Sequence, residues 1–110
     1  GLYSTAGDVA KLCQMLLNGG QVAGKRYLSE AALQTIRTRQ TAEGLAAYSS
    51  GFALTGEVFG HGGAHATNMS IDPVKGLVTI FMVQHSGWRN DSGKKILPAF
   101  KEAAYRQFAR

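Results

Sequence analysis

A histidine followed by two glycines, His61-Gly62-Gly63, is the group best suited to chemistry in this 110-residue sequence. Glycines at the head of a strand allow another molecule to approach the backbone closely. A free N–H there could donate to an oxyanion, which is a large contribution to acyl-transfer catalysis. The imidazole of His61 could carry a proton or donate to a substrate carboxylate. The triplet also fits a glycine-rich bend with a surface histidine, and both interpretations stay open on these residues alone.

A zinc site is the alternative chemistry for the three histidines, His61, His65 and His85. His61 and His65 have the i, i+4 spacing of ligands on a helix, but two glycines separate them and no Glu follows His61 as in a metalloprotease helix. In an extended strand they would lie roughly 13 Å apart, whereas each zinc ligand lies about 2 Å from the metal. Cys13 is the only cysteine, which excludes an internal disulfide and a cysteine-based zinc site. We therefore expect no metal and no cofactor.

The first element along the chain is predicted to be an amphipathic helix. Its apolar residues follow the i, i+3, i+4, i+7, i+8 spacing of one buried face: Val9, Leu12, Cys13, Leu16 and Leu17. Thr5 suits the N-cap, with Asp8 as its capping-box partner, and the Asn-Gly-Gly at 18–20 suits the end. Because Cys13 lies on the apolar stripe, we interpret it as a small core residue rather than a nucleophile.

Two further helices and three strands follow. Ser29 suits the cap of a short second helix, and the apolar spacing of 96–108 predicts a C-terminal helix with Pro98 in its first turn. Strands are predicted from Phe52 to Phe59, over 66–71 and over 77–84, the last two joined by a turn that contains Pro73 and Gly76. The sequence therefore predicts an α+β fold, in which N-terminal helices and a C-terminal helix pack on an antiparallel sheet of about three strands.

The charge of +5 is concentrated near the end of the chain. Basic clusters can mark nucleic-acid or membrane-surface binding. These charges are interleaved with apolar residues at helical spacing, so we favour a solvated helix face and expect no nucleic-acid partner. No apolar run approaches the roughly 20 residues that cross a bilayer.

Two blocks of sequence resemble the class C β-lactamase and esterase family, which includes D-aminopeptidase-type relatives of penicillin-binding proteins. The first runs from Ser4-Thr5-Ala6-Gly7-Asp8 to Met15-Leu16-Leu17-Asn18-Gly19-Gly20. The second begins at Phe59-Gly60-His61-Gly62-Gly63-Ala64 and continues through Asp72-Pro73, Lys75-Gly76-Leu77 and Phe81-Met82-Val83-Gln84. The blocks have the family's order and approximate separation, and together they cover nearly the whole chain. The resemblance implies a partial β-lactamase/transpeptidase-like fold.

The resemblance also implies a role for each residue of the triplet. Penicillin-recognising enzymes carry Lys-Thr/Ser-Gly as their third motif, on a strand that lines the site. By that match, His61 would contact the substrate carboxylate or the catalytic hydrogen-bond network, Gly63 would keep the strand open, and the Ala64 N–H would be one oxyanion donor. Gly62 and His65 would contribute to substrate binding. Histidine is mostly uncharged near neutral pH, so an ester or peptide substrate is favoured over a β-lactam.

The family's other two motifs are not found where they are expected. Ser92-Gly93-Lys94-Lys95 fits Ser-x-x-Lys, in which the lysine can take up the serine proton, but it follows the third motif instead of preceding it. We interpret Ser92 as a helix cap. The family's second motif is Tyr-x-Asn or Ser-x-Asn, and the sequence contains neither. None of its tyrosines has Asn two residues later: Tyr3, Tyr27, Tyr48 and Tyr105.

These observations lead to a set of expectations about function. The resemblance implies that residues 1–110 are one unit, the C-terminal part of a larger serine hydrolase domain. A first residue of Gly1 rather than Met agrees with a processed chain or a fragment. Alone it should be inactive, with the missing N-terminal part as its partner and a small acyl compound as substrate. The alternative is an inactive binding or regulatory module derived from that fold. A strand-paired or domain-swapped homodimer is also expected, and the resemblance alone suggests a periplasmic or exported parent.

Overall fold

The computed structural model describes residues 2–86 and 88–110, so Gly1 and Gly87 lie outside the described residues. Its helices are α1 (Ala6–Leu17), α2 (Glu30–Arg37), α3 (Asp91–Lys94) and α4 (Ile96–Phe108). Its strands are β1 (Gln21–Val22), β2 (Lys25–Arg26), β3 (Ala53–Thr55), β4 (Val58–Gly62), β5 (Asn68–Asp72) and β6 (Leu77–Phe81). No helix among these residues is both long and apolar enough to cross a membrane.

The main sheet is antiparallel and has the strand order β3-β4-β5-β6, while β1 and β2 form a separate pair. The α+β class and the helix-packed antiparallel sheet are therefore confirmed. The strand expected from Phe52 to Phe59 is instead two strands, because the chain turns back at Gly56, where φ is +60°. The short β1–β2 pair was not predicted from the sequence, since two residues per strand leave no alternating pattern to detect.

Helix α1 covers one face of the sheet and forms the core with it. Phe59, Ile71 and Val78 are direct neighbours across β4, β5 and β6, so their side chains share a face. That face packs against Cys13 and Leu16 of α1, and Leu33 of α2 completes the cluster. Cys13 has no exposed surface, and burial raises the pKa of its thiol. Its interpretation as a small core residue is confirmed.

The opposite face of the sheet packs against α4. Phe81 of β6 lies against Phe100, with ring centroids 5.4 Å apart. The Tyr105 hydroxyl donates to Oδ2 of Asp72 over 2.7 Å, and the Lys75 N–H donates to Oδ1 of the same carboxylate over 2.9 Å. Asp72 is only 7% exposed. The buried carboxylate thus joins the C-terminal helix to the end of β5.

Replacing Tyr105 with phenylalanine should destabilise the protein by about 1.5–3 kcal/mol, because it removes a hydrogen bond to a buried charged group. Burial and then the bond to Asp72 raise the pKa of Tyr105 from 10.0 to about 12. The unfolded tyrosine therefore loses its proton first, so its stabilising contribution is complete below about pH 10 and is lost as the pH rises towards 12.

Urea denaturation at several pH values tests this prediction. The Y105F variant should lack the alkaline fall in stability that Tyr105 causes in the wild-type protein. Tyr27→Phe is the matched control, because Tyr27 is 59% exposed and its hydroxyl has no hydrogen-bond partner among the described residues. Equal destabilisation by Y27F and Y105F would contradict the role given to the Asp72 contact.

Helix caps explain where the helices begin. Oγ1 of Thr5 accepts from the Asp8 N–H over 3.2 Å, and Oγ of Ser29 accepts from the Ala32 N–H over 3.1 Å, so both predicted N-caps are confirmed. The interpretation of Ser92 as a cap is wrong. Asn90 caps α3 instead, because its Oδ1 accepts from the Gly93 N–H over 2.6 Å, and Ser92 lies within the helix.

Candidate active site

The His61-Gly62 pair lies at the end of β4, where the sheet becomes locally narrower. β3 pairs only with residues 58–60 of β4, so His61 and Gly62 continue beyond the last residue that β3 covers. The Gly63 N–H then donates to the Thr67 carbonyl over 2.8 Å as the chain turns into β5. A β-carbon on Gly63 would overlap Oγ1 of Thr67. The second glycine therefore allows the chain to turn tightly beside the strand end.

The backbone beside His61 offers unpaired hydrogen-bond donors. In an antiparallel strand, successive residues direct their N–H and C=O groups to opposite neighbours. His61 and Gly63 bond towards β5, so the Gly62 N–H points to the side that β3 has left open. Among residues 2–86 and 88–110, neither the Gly62 N–H nor the Ala64 N–H has a hydrogen-bond partner. Both are thus unpaired backbone donors near the end of β4, and the type of group is one that can stabilise an oxyanion.

The His61 side chain is held by two contacts that define its tautomer. Its Nδ1 lies 2.5 Å from the Gly62 carbonyl oxygen, and its Nε2 lies 3.4 Å from the Tyr48 hydroxyl. A carbonyl can only accept, so Nδ1 carries the proton, and Nε2 of a neutral ring then accepts from Tyr48. The two rings meet edge to face with centroids 5.8 Å apart. His61 therefore has a proton-accepting nitrogen beside a hydroxyl that can donate.

A cavity of about 220 Å³ lies beside the strand end. His61, Gly62 and Gly63 line it together with residues of α1, β5 and the chain after β6: Val9, Thr67, Asn68, Met69 and Met82. The structure therefore brings together three of the predicted site residues. Neither Ala64 nor the exposed His65 is among the lining residues, and the His65 carbonyl accepts from the His85 N–H over 3.1 Å.

A metal site requires several ligating side chains close to one point. Within the part of the chain that the structure describes, no group of three or more His, Cys, Asp or Glu side chains is placed to hold a metal ion. The contacts of His61 are to a carbonyl and a hydroxyl rather than to a second metal-ligating side chain.

Tyr48 and Asn68 were not identified from the sequence as site residues. Tyr48 precedes His61 by 13 residues in a segment without a motif, and its own backbone is held by Gln40 and Thr41. Asn68 is directly opposite Gly62 in the β4–β5 pairing, and its Oδ1 is buried without a partner among the described residues. Strand pairing alone places Asn68 at the cavity, so no local sequence signal could have identified it.

Ser92 lines a different cavity from His61. That cavity, of about 550 Å³, is lined by polar side chains including Arg89, Asn90 and Ser92. His61 is not among its lining residues, and Ser92 is not among those of the cavity beside His61. The only Ser-x-x-Lys sequence is therefore not presented to the His61 cavity.

The family model described as Beta-lactamase matches residues 1–101. No curated protein matches this chain. The matched range includes α1, the whole main sheet and the His61 cavity.

Proposed function

The chain belongs to the beta-lactamase family, and we propose that it forms one wall of a serine acyl-hydrolase active site without carrying the nucleophile. The reaction is hydrolysis of an ester, amide or β-lactam bond through an acyl-enzyme. The observation that carries this proposal is the His61 imidazole, which contacts the Gly62 carbonyl and the Tyr48 hydroxyl at the end of β4 that β3 does not cover. The proposed wall consists of His61, Gly62, Gly63 and Ala64.

In the proposed reaction, a serine oxygen attacks the substrate carbonyl and a base takes up the serine proton. The carbonyl π electrons move to oxygen, and the Ala64 N–H donates to the oxyanion that forms. Collapse of this intermediate breaks the bond to the leaving group, which takes up a proton. Water then releases the acyl group by the same two steps.

His61 is proposed to act in the hydrogen-bond network of this site. The Nε2 atom lies 3.4 Å from the Tyr48 hydroxyl. A proton can therefore pass between the imidazole and either Tyr48 or another hydroxyl group that binds in its place. A neutral imidazole attracts a carboxylate less strongly than a lysine ammonium does. The parent is therefore proposed to prefer esters or peptides over β-lactams, with Asn68 as an additional polar group at the wall.

The nucleophile is proposed to come from a part of the parent protein outside residues 1–110. Ser92 is the only serine here with lysine three residues later, and it lies within α3 and lines a separate cavity. The remainder of the parent is thus the proposed partner of this wall. The presence of one of the family's three motifs also favours a second candidate, a binding module that kept the wall without catalysis.

Assays of the 110-residue chain on a chromogenic ester and a chromogenic cephalosporin test the proposal. We expect no turnover above buffer, and no change with Ser92→Ala. We also expect the coding sequence upstream of Gly1 to contain Ser-x-x-Lys followed by Tyr-x-Asn, and the protein that includes them to hydrolyse the ester. Turnover by the 110-residue chain that S92A abolishes would overturn the proposal. Absence of both motifs upstream would leave the binding module as the function.

A further inference from the structure

The chain between α2 and β3 brings Tyr48 to His61 through a loop, residues 39–48. All ten of these residues are described, and they form no helix and only one strand-like contact, the bridge between Tyr48 and Ala53. Without a helix or a sheet ladder, side chains must satisfy part of the loop backbone and fix its path. A group that acts in catalysis has to be held within about 0.5 Å of its productive position. The contacts that fix this loop therefore bear on the Tyr48–His61 pair.

The Arg39 guanidinium closes the loop through three carbonyl oxygens. Its Nε donates to the Thr41 carbonyl over 3.0 Å. Its Nη2 donates to the carbonyls of Ala42 and Leu45 over 2.6 and 3.1 Å. Arginine carries its N–H donors in a fixed planar fork, so one side chain can hold several acceptors in a defined arrangement. None of the ion pairs among the described residues includes Arg39, so the contacts that the structure gives its guanidinium are those to the loop.

The Thr41 hydroxyl connects the closed loop to Tyr48. It donates to the Ala46 carbonyl over 2.8 Å. It accepts from Nε of Arg39 over 3.3 Å and from the Tyr48 N–H over 3.2 Å. A hydroxyl has one donor and two acceptor lone pairs, so these three contacts use its full capacity. The Gln40 N–H donates to the Tyr48 carbonyl over 2.7 Å. Both backbone polar groups of Tyr48 are thus bonded to the two residues that follow Arg39.

We propose that Arg39 and Thr41 are positioning residues for the Tyr48–His61 pair, which hold the 39–48 loop so that the Tyr48 hydroxyl donates to Nε2 of His61. The contacts run from the guanidinium to the Thr41 hydroxyl, then to the Tyr48 backbone, and from the Tyr48 hydroxyl to the imidazole over 3.4 Å. The described hydrogen bonds of the His61 ring include neither Arg39 nor Thr41, so both act through Tyr48. The expected effect on catalysis rests on the proposed function, whereas the positioning of Tyr48 does not.

Nitrogen-15 NMR of the 110-residue chain tests the positioning without any assay of activity. At about pH 8.5 free histidine is neutral and free tyrosine keeps its proton. The Nε2 resonance of His61 should then show a hydrogen bond in the wild-type chain. Tyr48→Phe removes the hydroxyl and gives the reference value for a ring without this bond.

Four further variants separate the Thr41 hydroxyl and the Arg39 guanidinium from general effects. Thr41→Val keeps the shape of the side chain without the hydroxyl, and its Nε2 resonance should move to the Y48F value. Thr41→Ser keeps the hydroxyl and should retain the wild-type value. Arg39→Ala should behave as T41V. Arg37→Ala is the matched control, because Arg37 pairs with Glu57 over 3.4 Å instead of with the loop, and it should retain the wild-type value.

Kinetics of the protein that includes the proposed nucleophile test the consequence for catalysis. R39A and T41V should each lower kcat for a chromogenic ester by about tenfold at nearly constant KM, a loss within the range that a misplaced catalytic group causes. T41S and R37A should stay within twofold of the wild-type protein. Since Arg39 acts through Tyr48, adding R39A to Y48F should lower kcat no further.

Three results would overturn this inference. The first is a wild-type Nε2 resonance in both R39A and T41V. The second is an equal change in T41V and T41S, which would exclude the hydroxyl as the cause. The third is an additive loss of kcat in the R39A/Y48F double variant. If R39A does not fold, the comparison of T41V with T41S decides the question. If the parent hydrolyses no ester, the proposed function fails and the NMR measurement still decides the positioning of Tyr48.

Discussion

Replacing Gly60 with alanine is expected to destabilise the fold by about 3 kcal/mol, the upper part of the range for overpacking a well-packed interior. Gly60 is a buried residue of β4 and is directly opposite Ser70 of β5. A β-carbon on Gly60 would overlap the Met69 carbonyl oxygen and lie 2.9 Å from the Ser70 Cα. Both contacts are to backbone, so a change of side-chain rotamer does not relieve them. The β4–β5 pairing would have to separate.

Gly62→Ala is the control for this prediction, since Gly62 is in the same strand and two residues away. The nearest atoms to a β-carbon on Gly62 are 3.7 Å away, which is ordinary van der Waals contact. Alanine at position 62 lowers the conformational entropy of the unfolded chain and causes no clash in the folded one. The free energy of unfolding of G62A should therefore be unchanged or higher by up to about 1 kcal/mol. Urea denaturation at constant pH measures both variants. Similar midpoints for G60A and G62A would contradict the close approach of β4 and β5 at Gly60.

The helices could be predicted from the sequence because their signals are local. The spacing of apolar residues in α1 gives its buried face, and Thr5 and Ser29 are caps whose acceptors bond to amides three residues later. The failure at Ser92 has the same local origin. Asn90 and Ser92 are both residue types that suit an N-cap, and an N-cap residue has an extended backbone. Asn90 has this backbone, with φ −112° and ψ 159°, whereas Ser92 lies within the helix.

The number of strands was harder to predict than their presence. The residues from Phe52 to Phe59 are apolar enough for one strand, and only the positive φ of Gly56 divides them into β3 and β4. This division has consequences for the site. Because β3 ends its pairing at Gly60, the backbone of Gly62 is left unpaired on one side. The length of β3 depends on the sheet as a whole, so the His61-Gly62-Gly63 motif does not predict it.

The site was predictable only as far as its motif extends. His61, Gly62 and Gly63 were identified together and line one cavity. Tyr48 reaches His61 through tertiary structure, and its position depends on the Thr41 hydroxyl, which accepts from the Tyr48 N–H over 3.2 Å. Such a contact depends on the path of a polar segment without periodicity, so neither residue type nor spacing reveals it.

Replacing His61 with alanine in the protein that includes the proposed nucleophile should lower kcat/KM for a chromogenic ester by about 10²-fold or more, the usual contribution of a positioned proton carrier. The His61 ring is fixed at both nitrogens, by the Gly62 carbonyl and the Tyr48 hydroxyl. Alanine removes the ring and leaves the Ala64 N–H in place. Tyr48→Phe removes one of the two contacts and should lower kcat/KM by about tenfold.

His65→Ala is the control, because His65 is exposed and does not line the cavity that contains His61. We expect it to change kcat/KM less than twofold. The separate effects on kcat and KM distinguish the two roles proposed for His61. A fall in kcat at nearly constant KM indicates a group that acts in the transition state, whereas a rise in KM at constant kcat indicates one that only binds substrate. Equal effects of H61A and H65A would contradict both roles, because His61 lines the cavity at the open end of β4 and His65 does not.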